Sequence, residues 1–181
     1  MTLVRTLASI LAGWVFLTGC ASSTSVPEPA AALEPATEAE KVADAYMKAI
    51  TSRDWTAMAE FLTEDSVYRD HTMTYFEIPA IDLSGPRDIV EFWRESSEST
   101  DAMVENHVKV RFTAGPWVIL VLRPHVSVQG EAWDVPGRRI EGTFDQITVL
   151  KVDGDKILHH VDHVDYAEVM EVVDAARATI R

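Results

Sequence analysis

Asp155-Lys156-Ile157-Leu158-His159-His160-Val161-Asp162-His163-Val164-Asp165-Tyr166 is the stretch on which the reading of this chain turns. It follows a turn signal, Val152-Asp153-Gly154-Asp155, and sets three histidines and three aspartates among β-forming residues. Successive side chains of a strand point to opposite faces. One face then carries Leu158, His160, Asp162, Val164 and Tyr166, and the other Ile157, His159, Val161, His163 and Asp165. Neither is plain core, so one of them is expected to look into a polar cavity.

Upstream, Arg139–Val152 reads as a long strand entered through a hairpin turn at Val135-Pro136-Gly137-Arg138. Trp117–Val128 is a strongly apolar β-former run, and Arg123-Pro124 within it predicts an edge or a bulge. Met103–Phe112 alternates Val104, Val108 and Val110 with charged neighbours. Downstream, Tyr166–Ile180 reads as a closing helix with Val169, Met170 and Val173 inward. The first half is helical. Thr37-Glu38-Ala39-Glu40 is a capping box opening a helix whose stripe is Val42, Tyr46, Ala49 and Ile50. Asp54 can cap a short second helix carrying Trp55, Met58, Phe61 and Leu62. Val67-Tyr68-Arg69 is a short strand leading to Asp70-His71, residues 72–84 read as a loop, and Ser84-Gly85-Pro86 starts a third helix bearing Ile89, Val90, Phe92 and Trp93. Helices first and an antiparallel meander afterwards predict an α+β fold.

The N-terminus has another character. Arg5 and the α-amino group precede an apolar run, Thr6–Leu17, too short to span a bilayer comfortably. It ends in Leu17-Thr18-Gly19-Cys20, which resembles the lipobox of bacterial lipoprotein signals. The resemblance implies cleavage before Cys20, lipidation of that residue, and a membrane-anchored address on the extracytoplasmic side of the cell envelope. Cys20 is the only cysteine, so an intramolecular disulfide is excluded. Residues 1–19 are read as signal peptide, 20–37 as a disordered tether of Ala, Ser, Thr, Pro and Glu, and 38–181 as one domain. The formal charge of −13 argues against nucleic acid as a partner, because phosphates need a Lys/Arg surface.

The order of elements, the Asp65-Ser66-Val67-Tyr68-Arg69-Asp70-His71 strand and the Gly-Pro-started helix ending Phe92-Trp93 resemble the SnoaL-like branch of the nuclear transport factor 2-like superfamily. The closest match is Asp153-Gly154-Asp155-Lys156-Ile157-Leu158-His159-His160-Val161-Asp162, similar to that branch's last strand. The similarity covers roughly residues 39–170. It implies a curved antiparallel sheet wrapped by helices into a cone, with a pocket inside. Known activities of the branch include polyketide cyclisation, ketosteroid-type isomerisation, epoxide hydrolysis and dehydration, and many members have no known reaction. Homodimers through the sheet are common, so one is expected here by analogy.

The resemblance makes His160 and Asp162 the acid–base candidates, with Asp162 as general acid or base and His160 as its partner. Burial in an apolar cone would raise a carboxylate pKa toward working pH. Asp70 sits where the family places a polar group beside the pocket, and alternation sends His71 to the surface. Tyr46, Trp55, Tyr68 and Trp93 are candidate ligand-binding aromatics. His159, His160, Asp162 and His163 are metal-ligand types. They resemble the His-x-His-x-Asp-His motif of metallo-β-lactamases, but Leu158 stands in place of its first His and alternation splits the rest between two faces, so no metal is expected. Two functions stay open: a cofactor-independent enzyme acting on a small, largely apolar molecule, and a non-catalytic ligand-binding or envelope-interaction lipoprotein. In the latter the outer sheet face around Trp117–Leu122 would meet a partner.

Overall fold

The computed structural model describes residues 37–180. The signal peptide, Cys20 and all of the tether but Thr37 lie outside the described residues. Helix α1 (Glu38–Thr51) begins with both bonds of the capping box in place: Glu40 N donates to Thr37 Oγ1, and Thr37 N to Glu40 Oε2. Its Ala43, Tyr46, Met47, Ala49 and Ile50 are buried. Helix α2 (Trp55–Glu60) is capped by Asp54, whose Oδ1 accepts from Ala57 N. Helix α3 (Pro86–Thr100) starts at Gly85, held at φ +77°, a conformation L side chains rarely adopt. No helix among the described residues is long and apolar enough to cross a membrane.

The nine strands among the described residues follow the expected helix-then-sheet order, with two departures in the first half. The segment expected as a loop forms a 3-10 helix, Thr72–Phe76, and strand β2 (Ile81–Ser84), which pairs antiparallel with β1 (Val67–Asp70). The remaining strands are β3 (Met103–Glu105), β4 (Val108–Ala114), β5 (Trp117–Leu122), β6 (His125–Gln129), β7 (Arg139–Thr143), β8 (Gln146–Asp153) and β9 (Lys156–Val164). They make a six-stranded sheet, β2-β1-β9-β8-β5-β4, and a three-stranded sheet, β3-β6-β7. Each of the three long strands expected from sequence is therefore two strands in two sheets. Arg123-Pro124 is such a corner and not an edge or bulge within one strand; Asn106-His107 and Phe144-Asp145 are the others. The expected hairpin turn at 135–138 is only the end of a longer connection, which includes a 3-10 helix at Gly130–Trp133, although β6 and β7 do pair antiparallel.

Helix α4 (Tyr166–Ala178) closes the chain, two residues shorter than expected, with Asp165 capping Ala167 N and Glu168 N. Helices α1–α3 fill the concave side of the large sheet. Val118, Leu120, Leu122, Leu150, Val152 and Ile157 meet Tyr46, Met58 and Ile89 there. A second, smaller cluster of Val135, Ile140, Met170 and Val173 joins α4 to the small sheet.

The register of β9 carries one irregularity. Lys151 faces His159 while Val152 faces Ile157, so Leu158 is an extra residue, a β-bulge. The bulge is pinned by Ile157 N donating to Phe61 O and Ser66 Oγ donating to Ile157 O. It swaps the expected neighbours. Ile157, assigned by alternation to the outer face, is in the core, and Leu158 is only half-buried. Beyond the bulge His160 and Asp162 point inward as expected.

Candidate functional site

Strand pairing lines up the inward-facing residues in two rows. Val118, Leu150, His160 and Tyr68 are consecutive partners across β5, β8, β9 and β1, and the next row is Leu120, Thr148, Asp162 and Asp70. The core thus has a polar strip running across an apolar floor. Its members are shut away from solvent: His160 is 1% exposed, Asp162 and Asp70 2%, Thr148 0%.

His160 is enclosed by aromatic rings from three elements. Tyr46 of α1 bonds His160 Nδ1 through its hydroxyl at 3.0 Å. Tyr68 of β1 meets the imidazole edge-on, and Trp93 of α3 lies parallel to it at 7° with centroids 5.9 Å apart. Tyr68 also touches Phe92 and Trp93. Trp55 is half-buried against the same core and makes none of the ring contacts around His160. Burial first, and then the charge of Asp162, push the phenols of Tyr46 and Tyr68 far above their usual range, so both remain neutral.

Asp162 is held by side chains. Its Oδ1 accepts from Thr148 Oγ1 at 2.6 Å and Gln146 Nε2 at 2.9 Å, and its Oδ2 from Tyr68 at a loose 3.4 Å. His160 Nε2 is 3.1 Å from Asp162 Oδ1, but off the line a hydrogen bond requires, so the nitrogen is left without a hydrogen-bond partner. Trp93 Nε1, on the parallel ring, is also buried and unpartnered. Burial is the largest influence on the Asp162 carboxyl and pushes its pKa up. Attraction to the adjacent His160, with the bonds from Thr148 and Gln146, outweighs it and holds the carboxyl below the usual range. The rise expected from burial alone is reversed.

Asp70 is buried and His71 exposed, as alternation requires. The Asp70 carboxylate is saturated: Oδ1 accepts from Thr72 N, Thr72 Oγ1 and Met73 N at 2.8, 2.5 and 3.3 Å, and Oδ2 from Tyr166 at 2.8 Å. Those bonds cap the 3-10 helix and tie it to the start of α4, which is structural work. On the outer face, His159 meets the edge of Trp117. Burial, followed by the nearby Lys151 and Arg69 charges, lowers the His159 pKa. His163 is exposed, and Asp145 is tied to Lys109 and Arg123. Sequence reasoning missed Thr148 and Gln146. Their two-residue spacing ahead of Leu150 was the available signal, but only the bulge sets Thr148 opposite Asp162.

A family model for the SnoaL-like domain matches residues 43–160. No curated protein matches the chain. Among solved structures, a candidate SnoaL-like polyketide cyclase from Shewanella denitrificans OS-217 is 25% identical, with TM-score 0.67 over 76% of this chain and 97% of that one. Its counterpart from Shewanella putrefaciens CN-32 is 24% identical, with TM-score 0.69 over 78% and 99%. An LEH-like epoxide hydrolase from M. tuberculosis shares the fold at 16% identity, TM-score 0.60, over 79% and 94%.

Proposed function

The chain belongs to the SnoaL-like domain family, and on that footing we propose that it binds a small, largely apolar molecule in its cone, against His160 and Asp162. The observation that carries this reading is the pair of buried, unpartnered nitrogens, His160 Nε2 and Trp93 Nε1, on rings that lie parallel. A buried polar atom without a partner costs on the order of 1–3 kcal/mol. A ligand that brings polar groups to both nitrogens recovers that cost and buries its apolar body among Tyr68, Phe92 and Trp93.

Cofactor-independent acid–base conversion, of the isomerase, cyclase or hydrolase type, is the enzymatic form of this reading. Proton transfer then falls to His160, with Asp162 as fixed counter-charge, because a carboxylate held below its usual range is a weak base at neutral pH. These roles are the reverse of those the family resemblance suggests. A non-catalytic binding or envelope-interaction lipoprotein is the second reading. The closure of the site favours it, as does the apolar outer face, where Phe112 is 57% and Trp117 37% exposed and available to a partner or a second copy. In both forms the domain is carried by a lipid on Cys20, on the extracytoplasmic side of a membrane.

A panel of alicyclic ketones and epoxides separates the two forms, with tryptophan fluorescence reporting binding and mass spectrometry reporting conversion. In the enzymatic form His160→Gln lowers turnover about 100-fold or more while binding persists. Binding without conversion, weakened by Trp93→Ala and indifferent to His160→Gln, selects the second. No binding to the unmutated chain by any member sinks the pocket itself.

A further inference from the structure

A groove of about 730 Å³ runs along the rim of the large sheet, where β8 begins and β9 ends. Its apolar wall is Val121, Ile147, Ala167 and Tyr75, and its volume is ordinary for small-molecule sites, which span roughly 300–1,000 Å³. The groove is also lined by Gln146, which is half-buried and opens β8. Gln146 Nε2 donates to Asp162 Oδ1 and to Thr148 Oγ1, both at 2.9 Å. One residue therefore touches both the groove and, through its carboxamide, the buried carboxylate.

The other buried acid near the groove is closed off differently. Thr72 and Tyr166 line the groove and bond Asp70, but backbone N–H groups of the 3-10 helix also hold that carboxylate in place. Asp162, among the described residues, is held by side chains alone, and one of its bonds comes from the half-buried carboxamide of Gln146. The acids at the groove itself are committed elsewhere. Asp145 pairs with Lys109 and Arg123, and Asp165 caps α4.

We propose that this groove is the entrance to the His160–Asp162 site, that Gln146 is its gate, and that the admitted ligand has an apolar body and a hydrogen-bond donor at its head. The donor follows from what the ligand displaces. When Gln146 swings aside, Asp162 Oδ1 loses an N–H, and the incoming head must supply another. The apolar body follows from the wall it passes. This proposal rests on the reading that the pair receives a ligand, but its test needs no turnover.

The test is carboxyl labelling of the full chain with a water-soluble carbodiimide and glycine ethyl ester, read residue by residue by mass spectrometry. Asp162 should resist labelling in the unmutated protein and label at least tenfold faster in Gln146→Ala, while Asp70 stays protected. Adding Ala167→Trp, which fills the groove, should restore protection. In Gln146→Ala, 4-ethylphenol should protect Asp162 and ethylbenzene should not. An Asp162 that stays unlabelled in Gln146→Ala, that ignores the Ala167→Trp plug, or that becomes labelled only together with Asp70 overturns the gate. Equal protection by the two probes overturns the donor head. A gate upheld by labelling stands even if His160→Gln binds ligand normally, and the binding reading stands even if the entrance lies elsewhere.

Discussion

Replacing Asp162 with Asn is expected to cost about 1.5–3 kcal/mol at neutral pH, the range for hydrogen bonds to a charged group. The carboxyl is held below its ordinary range in the folded chain. Its contribution is therefore complete above the unfolded value of about 3.9 and is lost as pH falls through the lower folded value. Urea midpoints by circular dichroism should fall between pH 5 and pH 2 more steeply in the parent than in Asp162→Asn. Equal slopes would mean that Asp162 is not held ionised. His160 and Asp162 were legible in the sequence because they are two residues apart on a β-forming run. Thr148 and Gln146 were not. Counting outward from the Asp153-Gly154 turn sets Thr148 opposite Val161, and only the extra residue at Leu158 brings it to Asp162. A bulge leaves no mark in alternation until its partner strand is known.

The elements themselves were well marked where local chemistry decides them. The Thr37–Glu40 box, the Asp54 cap and the Gly85-Pro86 start all delimit helices as read. The strand corners were not marked, because a chain passing from one sheet to the next keeps the same β-forming composition on both sides. Pro124 betrays one corner; Asn106-His107 and Phe144-Asp145 carry no such signal. The contact between α4 and β7 was equally hidden. A Cβ on Gly142 would lie 2.5 Å from Val172 Cγ1, so only glycine lets the helix come that close. Gly142→Ala should destabilise the fold by about 1–3 kcal/mol through overpacking, seen as a lower thermal midpoint. Shortening Val172 to Ala in the same chain should recover part of the loss. An unchanged midpoint in Gly142→Ala would show that α4 yields freely and is loosely docked.

At the scale of the molecule, an acidic chain with a formal charge of −13 gains little from anionic lipid, and the attachment we propose is the lipid on Cys20. Cys20→Ala should move the chain from the membrane pellet to the soluble fraction and abolish incorporation of labelled palmitate. A Cys20→Ala chain that still pellets would refute the lipid anchor. Within the domain, the parallel pairing of β1 with β9 has a consequence in time. Tyr46 and His160, which bond each other, are 114 positions apart in the chain, and Tyr68 and Asp162 are 94 apart. Contacts so distant close slowly, since the entropy of a long loop is surrendered before any contact repays it. As the ribosome delivers the chain, α1–α3 and β1 emerge long before the strand that completes them. Until Lys156–Val164 is made, β1 and β8 each show an open edge, the template on which neighbouring nascent chains pair wrongly. The strand that carries His160 and Asp162 is thus also the one that ends the nascent chain's exposure.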